Sequence, residues 1–240
     1  MRVLYLTIDN VNDNVILAQT LPFLGRLAAL PGVEAVRLYA LRKEGGERFR
    51  DYLPVRVHVH LGENHGLWSP RTWGNLACLA WSARRAAARG TLCIGRNPVS
   101  LACLVPAARR ANGRLVLDYR GLLSEEYVLQ GKVARGGILH RLLRRLEGWA
   151  LCRADRVLCV SHRLATRARR WRPRASGKLA VVPCACDPDV ARRDEGAVAA
   201  VRRELSLEAD RDLVLVYAGS LSAWNRPAPW PSALPALILS

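Results

Sequence analysis

Asp118-Tyr119-Arg120-Gly121, with Glu125 and Glu126 a few residues on, is the chain's densest run of groups able to hold charge at a reacting centre. It closes a short apolar run, 115–118, that reads as a buried strand. Ligands of an open parallel sheet bind beyond the carboxyl ends of its strands. An acid, a guanidinium and a glycine at such an end therefore point to a site. Asp118 and Arg120 are the expected catalytic pair, with Gly121, Glu125 and Glu126 beside the substrate. The same residues would also serve as an internal Asp118–Arg120 or Arg120–Glu125 ion pair that merely ties down the loop.

Other strand ends carry further candidates. The loop Asp9-Asn10-Val11-Asn12-Asp13-Asn14 leads into a helix, where free N–H groups with Asn12 and Asn14 suit an anion or sugar hydroxyls. Ordinary helix capping uses the same residues. In Gly95-Arg96-Asn97-Pro98, Arg96 is placed to meet an anionic ligand, with Asn97 next to it. Gly219-Ser220 closes a later apolar run, 213–218, as a small phosphate-style turn, without G-x-G-x-x-G or a Walker lysine. His58 and His60 share one side of a strand but have no further ligand nearby, so no metal is expected.

The elements that must position these groups alternate. Apolar runs at 2–8, 35–40, 55–60, 91–95, 115–118, 156–160 and 178–183 read as strands. Between them, Ile16, Leu17, Thr20, Leu21, Leu24, Leu27 and Ala28 recur at helical spacing, as do Leu139, Leu142, Leu143, Leu146, Trp149 and Ala150. Ser161 reads as the N-cap of a helix from His162 that stops before Pro173. A further short helix is expected over 197–205. The fold class is α/β, a Rossmann-like doubly wound parallel sheet with an incomplete second domain. The expected division is 1–186 for the sheet domain, 187–225 for a linker and the first elements of a second domain, and 226–240 for an aberrant or disordered tail. Four prolines between Pro227 and Pro235 forbid a regular helix or central strand in that tail.

Composition narrows the partners. The chain of 240 residues has 37 basic against 20 acidic side chains, a formal +17, with lysine only at Lys43, Lys132 and Lys178. The arginine bias fits a GC-rich coding sequence, and the remaining excess suits an anionic partner. Arg163, Arg167, Arg170 and Arg174 fall at helical spacing, after Arg141, Arg144 and Arg145 on the preceding helix. A solvated polar face accounts for such arginines equally well. Nucleic acid is disfavoured, since no aromatic-plus-basic recognition motif is present. Seven cysteines, with no C-x-x-C pair, sit mostly inside apolar runs as small hydrophobes, which suits a reduced chain. The apolar start breaks at Asp9, too early for a signal peptide, and no run reaches the roughly 18 apolar residues of a membrane span. A cytoplasmic location is expected, peripheral at most to an anionic membrane.

These segments together resemble the N-terminal, acceptor-side half of a family-4 glycosyltransferase of the GT-B fold. ILAQTLPFLGRLA is similar to that family's first helix, and LVLDYRGLLSEEYVLQG to its D-x-R-G or D-x-H-G segment with acidic residues following. RLEGWALCRADRVLCVSHRL resembles the signature whose helix ends in "ADRV" and whose strand ends in "VS". VVPCACD is like the "PNGVD" crossover into the second domain, and LVLVYAGSLSAWN like that domain's opening "GS" turn. The resemblance implies transfer of a sugar from a nucleotide-sugar donor to a glycan or lipid-linked acceptor, in polysaccharide biosynthesis, without cofactor or metal. It puts Asn12 and Asn14 on the acceptor side, Asp118, Arg120 and Gly121 facing the reacting sugar, and Gly219 and Ser220 at the donor diphosphate. Where the motif often has histidine this chain has Arg120. Most donor-site elements of the second domain have no counterpart, so the resemblance implies an impaired, truncated transferase. The alternative is a non-catalytic basic module that docks on anionic membrane or a partner enzyme.

Overall fold

The structure, a computed structural model, describes residues 1–43, 47–66, 69–184 and 193–207, with the single positions 212, 214 and 216. The chain divides into two compact units: Met1–Val128 with Val133–Ala185, and Leu129–Lys132 with Cys186–Ser240. The expected strand at 213–218, the Gly219-Ser220 turn and the 226–240 tail lie outside the described residues, single positions 214 and 216 apart.

The first unit holds one sheet of seven parallel strands. These are β1 (Arg2–Asn10), β2 (Ala35–Arg42), β3 (Val57–Glu63), β4 (Leu92–Gly95), β5 (Arg114–Tyr119), β6 (Arg156–Cys159) and β7 (Leu179–Val181). They lie in the order β3-β2-β1-β4-β5-β6-β7. The chain winds outward from β1 to β3, then returns beside β1 and winds the other way. That reversal puts a topological switch point at the carboxyl ends of β1 and β4, the place where open α/β sheets bind ligands. The helices are α1 (Leu21–Ala29), α2 (Pro70–Ala86), α3 (Pro98–Ala111), α4 (Leu123–Leu129), α5 (Ile138–Arg153) and α6 (His162–Trp171). A π turn, Ile16–Thr20, leads into α1. In the second unit α7 (Glu195–Glu204) starts at Asp194, whose side chain accepts from the Ala197 N–H.

Alternation along each strand divides the core into two layers. On one face Val3, Tyr5, Val36, Leu38 and Ile94 pack with Leu17, Leu21 and Leu24. On the other Leu4, Leu6, Cys93, Leu115 and Leu117 pack with Leu79, Leu101, Leu104 and Leu151. Each fully buried leucine contributes about 1.5–3 kcal/mol. Gly95 lets α3 descend onto the end of β4, because a Cβ there would overlap the Leu101 backbone. Ser161 caps α6 as expected, accepting from the Leu164 N–H at 3.2 Å.

Three differences from the sequence expectation have local causes. β1, β2 and β3 run further toward their carboxyl ends than their apolar patterns, because Asn10 pairs with Leu41 and Arg42 with Glu63 through the backbone ladder alone. β3 begins at Val57 rather than at position 55, since Arg56 has φ 72°, a left-handed conformation no strand can include. The buried stripe of α5 is also rotated. Leu142 and Trp149 are exposed, while His140, Glu147, Ala150 and Leu151 are buried. A polar side chain can occupy such a stripe when the fold supplies its hydrogen bonds, as it does for Glu147.

Candidate functional site

Strand register builds the site. Tyr5, Ile94 and Val116 stand side by side on one face of the sheet. Two residues further along the same strands come Thr7, Arg96 and Asp118, or, for β4, the residue just past its end. An apolar face thus turns polar at its carboxyl edge, where the winding reverses.

Asp118 is buried and uses both carboxylate oxygens. Tyr5 Oη donates to Oδ2 at 2.7 Å, and Arg120 Nε donates to Oδ1 at 2.8 Å. Burial and then the Asp118 charge push the Tyr5 hydroxyl far above its ordinary range, so Tyr5 stays a donor. Arg120 Nη1 reaches Gln19 Oε1 at 3.0 Å and Cys184 Sγ at 3.3 Å. Held from both sides, the Arg120 side chain still keeps 24% of its surface accessible, enough to meet a ligand.

Arg96 forms a second, deeper pair. Its Nε donates to Asp9 Oδ2 at 2.9 Å and its Nη1 to Thr20 Oγ1 at 2.8 Å. Thr7 Oγ1 donates to the same Asp9 oxygen at 2.8 Å. Burial opposes the Arg96 charge, but Tyr5, Asp9 and Asp118 outweigh it and raise its pKa. Arg96 was expected to meet an anionic ligand; instead two of its donors are committed inside the protein. The π turn supplies both partners, since adjacent Gln19 and Thr20 reach Arg120 and Arg96 respectively.

The two acids of α4 part company. A Cβ on Gly121 would strike the Glu126 carboxylate, so Glu126 lies over that glycine. Burial, then the Asp9 charge, raises the Glu126 pKa, while Arg96 opposes the shift. Glu126 therefore belongs with the strand-end groups. Glu125 is directed elsewhere: Arg135 Nη1 donates to its Oε2 at 2.9 Å. The Asp118–Arg120 ion pair foreseen in the sequence is present, whereas Glu125 takes Arg135 in place of Arg120.

Three further candidates, Asn12, Asn14 and Asn97, make hydrogen bonds within the fold. Asn12 Oδ1 accepts from the Phe49 N–H at 3.0 Å and Asn14 Oδ1 from Arg48 Nη1 at 3.2 Å, which ties their loop to the turn at Arg48–Tyr52. Asn97 caps α3, its Oδ1 accepting from the Ser100 N–H at 2.9 Å. Hence Asn12, Asn14 and Asn97 are not drawn into the Asp118–Arg120 cluster, and Gly219 and Ser220 lie outside the described residues. His60 stacks on Tyr39 at 4.8 Å, and among the described residues no group of His, Cys, Asp and Glu is gathered to hold a metal. Tyr5 and Thr20 escape a sequence reading because each counts toward an apolar pattern. Gln19 stands inside the ILAQTLP segment but has no spacing signal of its own.

A sheet wound both ways from its centre, with a tethered guanidinium and carboxylates beyond its strands, defines a Rossmann-like α/β domain. Glycosyltransferase Family 4 matches residues 27–190, and the chain belongs to that family. The sheet domain is Rossmann-like, one half of a GT-B fold. It is similar to HepE from Anabaena in complex with UDP-glucose, with a TM-score of 0.62 and 16% identity over 98% of this chain and 57% of HepE. HepE with UDP and glucose gives a TM-score of 0.61 at 15% identity over the same shares. At these identities the likeness is one of fold. The chain spans a little over half the length of that protein. No curated protein sequence matches it.

Proposed function

We propose that this chain is the acceptor-side domain of a glycosyltransferase that moves a sugar from a nucleotide-sugar donor to a glycan or lipid-linked acceptor. The observation that carries the reading is Arg120, fixed by Asp118 and Gln19 at the carboxyl edge of β5 and still open to a ligand. Sugar transfer develops an oxocarbenium-like centre and a departing diphosphate. A cation already held in place stabilises that departing charge without reorganising. Asp118, whose two oxygens accept from Tyr5 and Arg120, is a positioning residue that orients the guanidinium. Glu126 and the edge of Arg120 face the acceptor side, and most donor contacts belong to the second domain. HepE, similar in fold, is seen with UDP-glucose, which supports a nucleotide-sugar as donor here. The reaction as read needs no metal.

The test compares nucleotide release by the 240-residue chain with release by the same chain continued behind Asn225 through a full donor domain of a family member. Transfer is expected from the continued chain and none from the 240 residues alone; robust transfer by the latter overturns that part of the reading. In the continued chain Arg120→Ala should lower turnover about hundredfold, and Arg110→Ala, at the exposed end of α3, should not. Equal effects would remove Arg120 from the site.

Peripheral contact with an anionic membrane at the cytoplasmic face is a second reading, supported by exposed Arg141, Arg145 and Arg163 on α5 and α6. No described helix is long and apolar enough to cross a membrane. Salt-sensitive co-sedimentation with anionic vesicles is its test.

A further inference from the structure

Glu125 looks into a pocket of about 260 Å³ between the start of α4 and the facing sides of α5 and α6. Its walls include Ser124, Glu147, Arg144, Arg167 and Arg170. None of these side chains is hydrogen-bonded to Asp118 or Arg120, and of the two neighbouring acids of α4 only Glu125 lines the pocket.

The pocket's acids are already satisfied. Glu147 is buried, its Oε2 accepting from Ser124 Oγ at 2.7 Å and its Oε1 from the Ser124 N–H at 3.2 Å. Burial raises its pKa, and the hydrogen bonds from Ser124 oppose the shift. Glu125 is hydrogen-bonded to Arg135, and His140 Nε2 stands 3.6 Å from its other oxygen.

The cations are held more loosely, by charge and ring contacts and without a hydrogen bond among the described residues. Arg144 and Arg167 approach Glu125 Oε1 only to 3.8 and 4.0 Å, beyond hydrogen-bond reach. Arg170 has no hydrogen bond or ion pair among the described residues. Arg144 also lies over the Trp171 ring at 5.1 Å, a contact that uses none of its N–H groups as hydrogen-bond donors. Three guanidinium groups thus line an open space with two carboxylates, Glu147 bonded to Ser124 and Glu125 to Arg135. Planar N–H forks match phosphate oxygens in pairs, and the net positive charge of the lining favours an anion.

We propose that the pocket between α4, α5 and α6 is a separate anion site, which takes a phosphate or diphosphate group on Arg144, Arg167 and Arg170. It is distinct from the strand-end site, and its occupancy does not depend on sugar transfer. The ligand enters as a free phosphorylated molecule or as the headgroup of a lipid, and the same three arginines read either.

Isothermal titration of the full chain with inorganic pyrophosphate at low salt tests the proposal. One equivalent should bind, and Arg167→Gln/Arg170→Gln should weaken binding by about tenfold or more. The control Arg109→Gln/Arg110→Gln removes the same charge from the exposed end of α3 and should leave binding unchanged. Glu125→Gln should tighten binding several-fold, because it removes the carboxylate that competes for Arg144 and Arg167. Circular dichroism on each variant confirms that it is folded. Titration with farnesyl diphosphate beside pyrophosphate distinguishes the sources: a much tighter fit for the lipid assigns a headgroup, equal affinity a free ligand. No binding of either, or equal loss in the α3 control, overturns the proposal.

Discussion

Tyr5 and Asp118, 113 residues apart in the chain, share a hydrogen bond of 2.7 Å that passes over the intervening strand β4. The contact couples the centre of the sheet to the site, because Asp118 in turn orients Arg120. Parallel register makes it possible, bringing Tyr5 and Val116 onto one face with Asp118 one pleat further on.

Tyr5→Phe should therefore destabilise the sheet domain by about 1.5–3 kcal/mol, the range for a hydrogen bond to a charged group. Urea denaturation at neutral pH measures it. A loss under about 0.5 kcal/mol would mean that Arg120 alone satisfies Asp118.

Two glycines should respond in opposite directions to alanine. Gly95→Ala forces a Cβ into the Leu101 backbone and should cost at least the 1–3 kcal/mol typical of overpacking. Gly74, exposed inside α2, has nothing within 4 Å of the added methyl, so Gly74→Ala should stabilise by up to about 1 kcal/mol through helix propensity. The comparison of thermal midpoints checks both, and destabilisation by both would sink the packing argument.

Much of this arrangement is legible in the sequence, and particular residues show where legibility stops. All seven strands can be read from apolar runs, because a parallel sheet covered on both faces needs them. The strand-end rule leads directly to Asp118, Arg120 and Gly121. The rule cannot tell a ligand-facing side chain from an internally paired one, and so Arg96 reads as open although Asp9 and Thr20 enclose it. Nor does adjacency fix direction: Glu125 and Glu126 are neighbours in the chain, yet Glu125 pairs with Arg135 and Glu126 lies over Gly121. Glu147 has no apolar signal at all, yet it sits in a buried stripe because Ser124 meets both its oxygens.

The Asp9–Arg96 pair should break unequally. Arg96 keeps only 7% of its side-chain surface accessible, against 41% for Asp9. Asp9→Asn strands a buried guanidinium and should cost about 2–3 kcal/mol, below the 3–5 of a fully buried pair because Asp118 still offsets the charge. Arg96→Met leaves a carboxylate that water can reach and should cost less. Urea midpoints in the reverse order would show that Thr20, not Asp9, is the partner that matters.

The two glutamates of the anion pocket should give stability opposite dependences on pH. Burial, foremost, raises the Glu147 pKa, and the hydrogen bonds from Ser124 only partly offset it. The folded state therefore binds this proton more tightly than the unfolded chain, and its contribution to stability is lost as pH rises from the ordinary carboxylate value through the raised one. For Glu125 burial also works against ionisation, but Arg135, His140 and Arg167 prevail and lower the pKa. Its contribution is present above the ordinary carboxylate value and is lost as pH falls through the lowered one. Stability measured by urea from about pH 3 to about pH 8 separates them. Glu147→Gln should gain on the parent chain as pH rises, and Glu125→Gln should trail it near neutrality and converge with it in acid. Parallel pH curves for the two variants would mean that neither carboxyl is perturbed in the way its surroundings require.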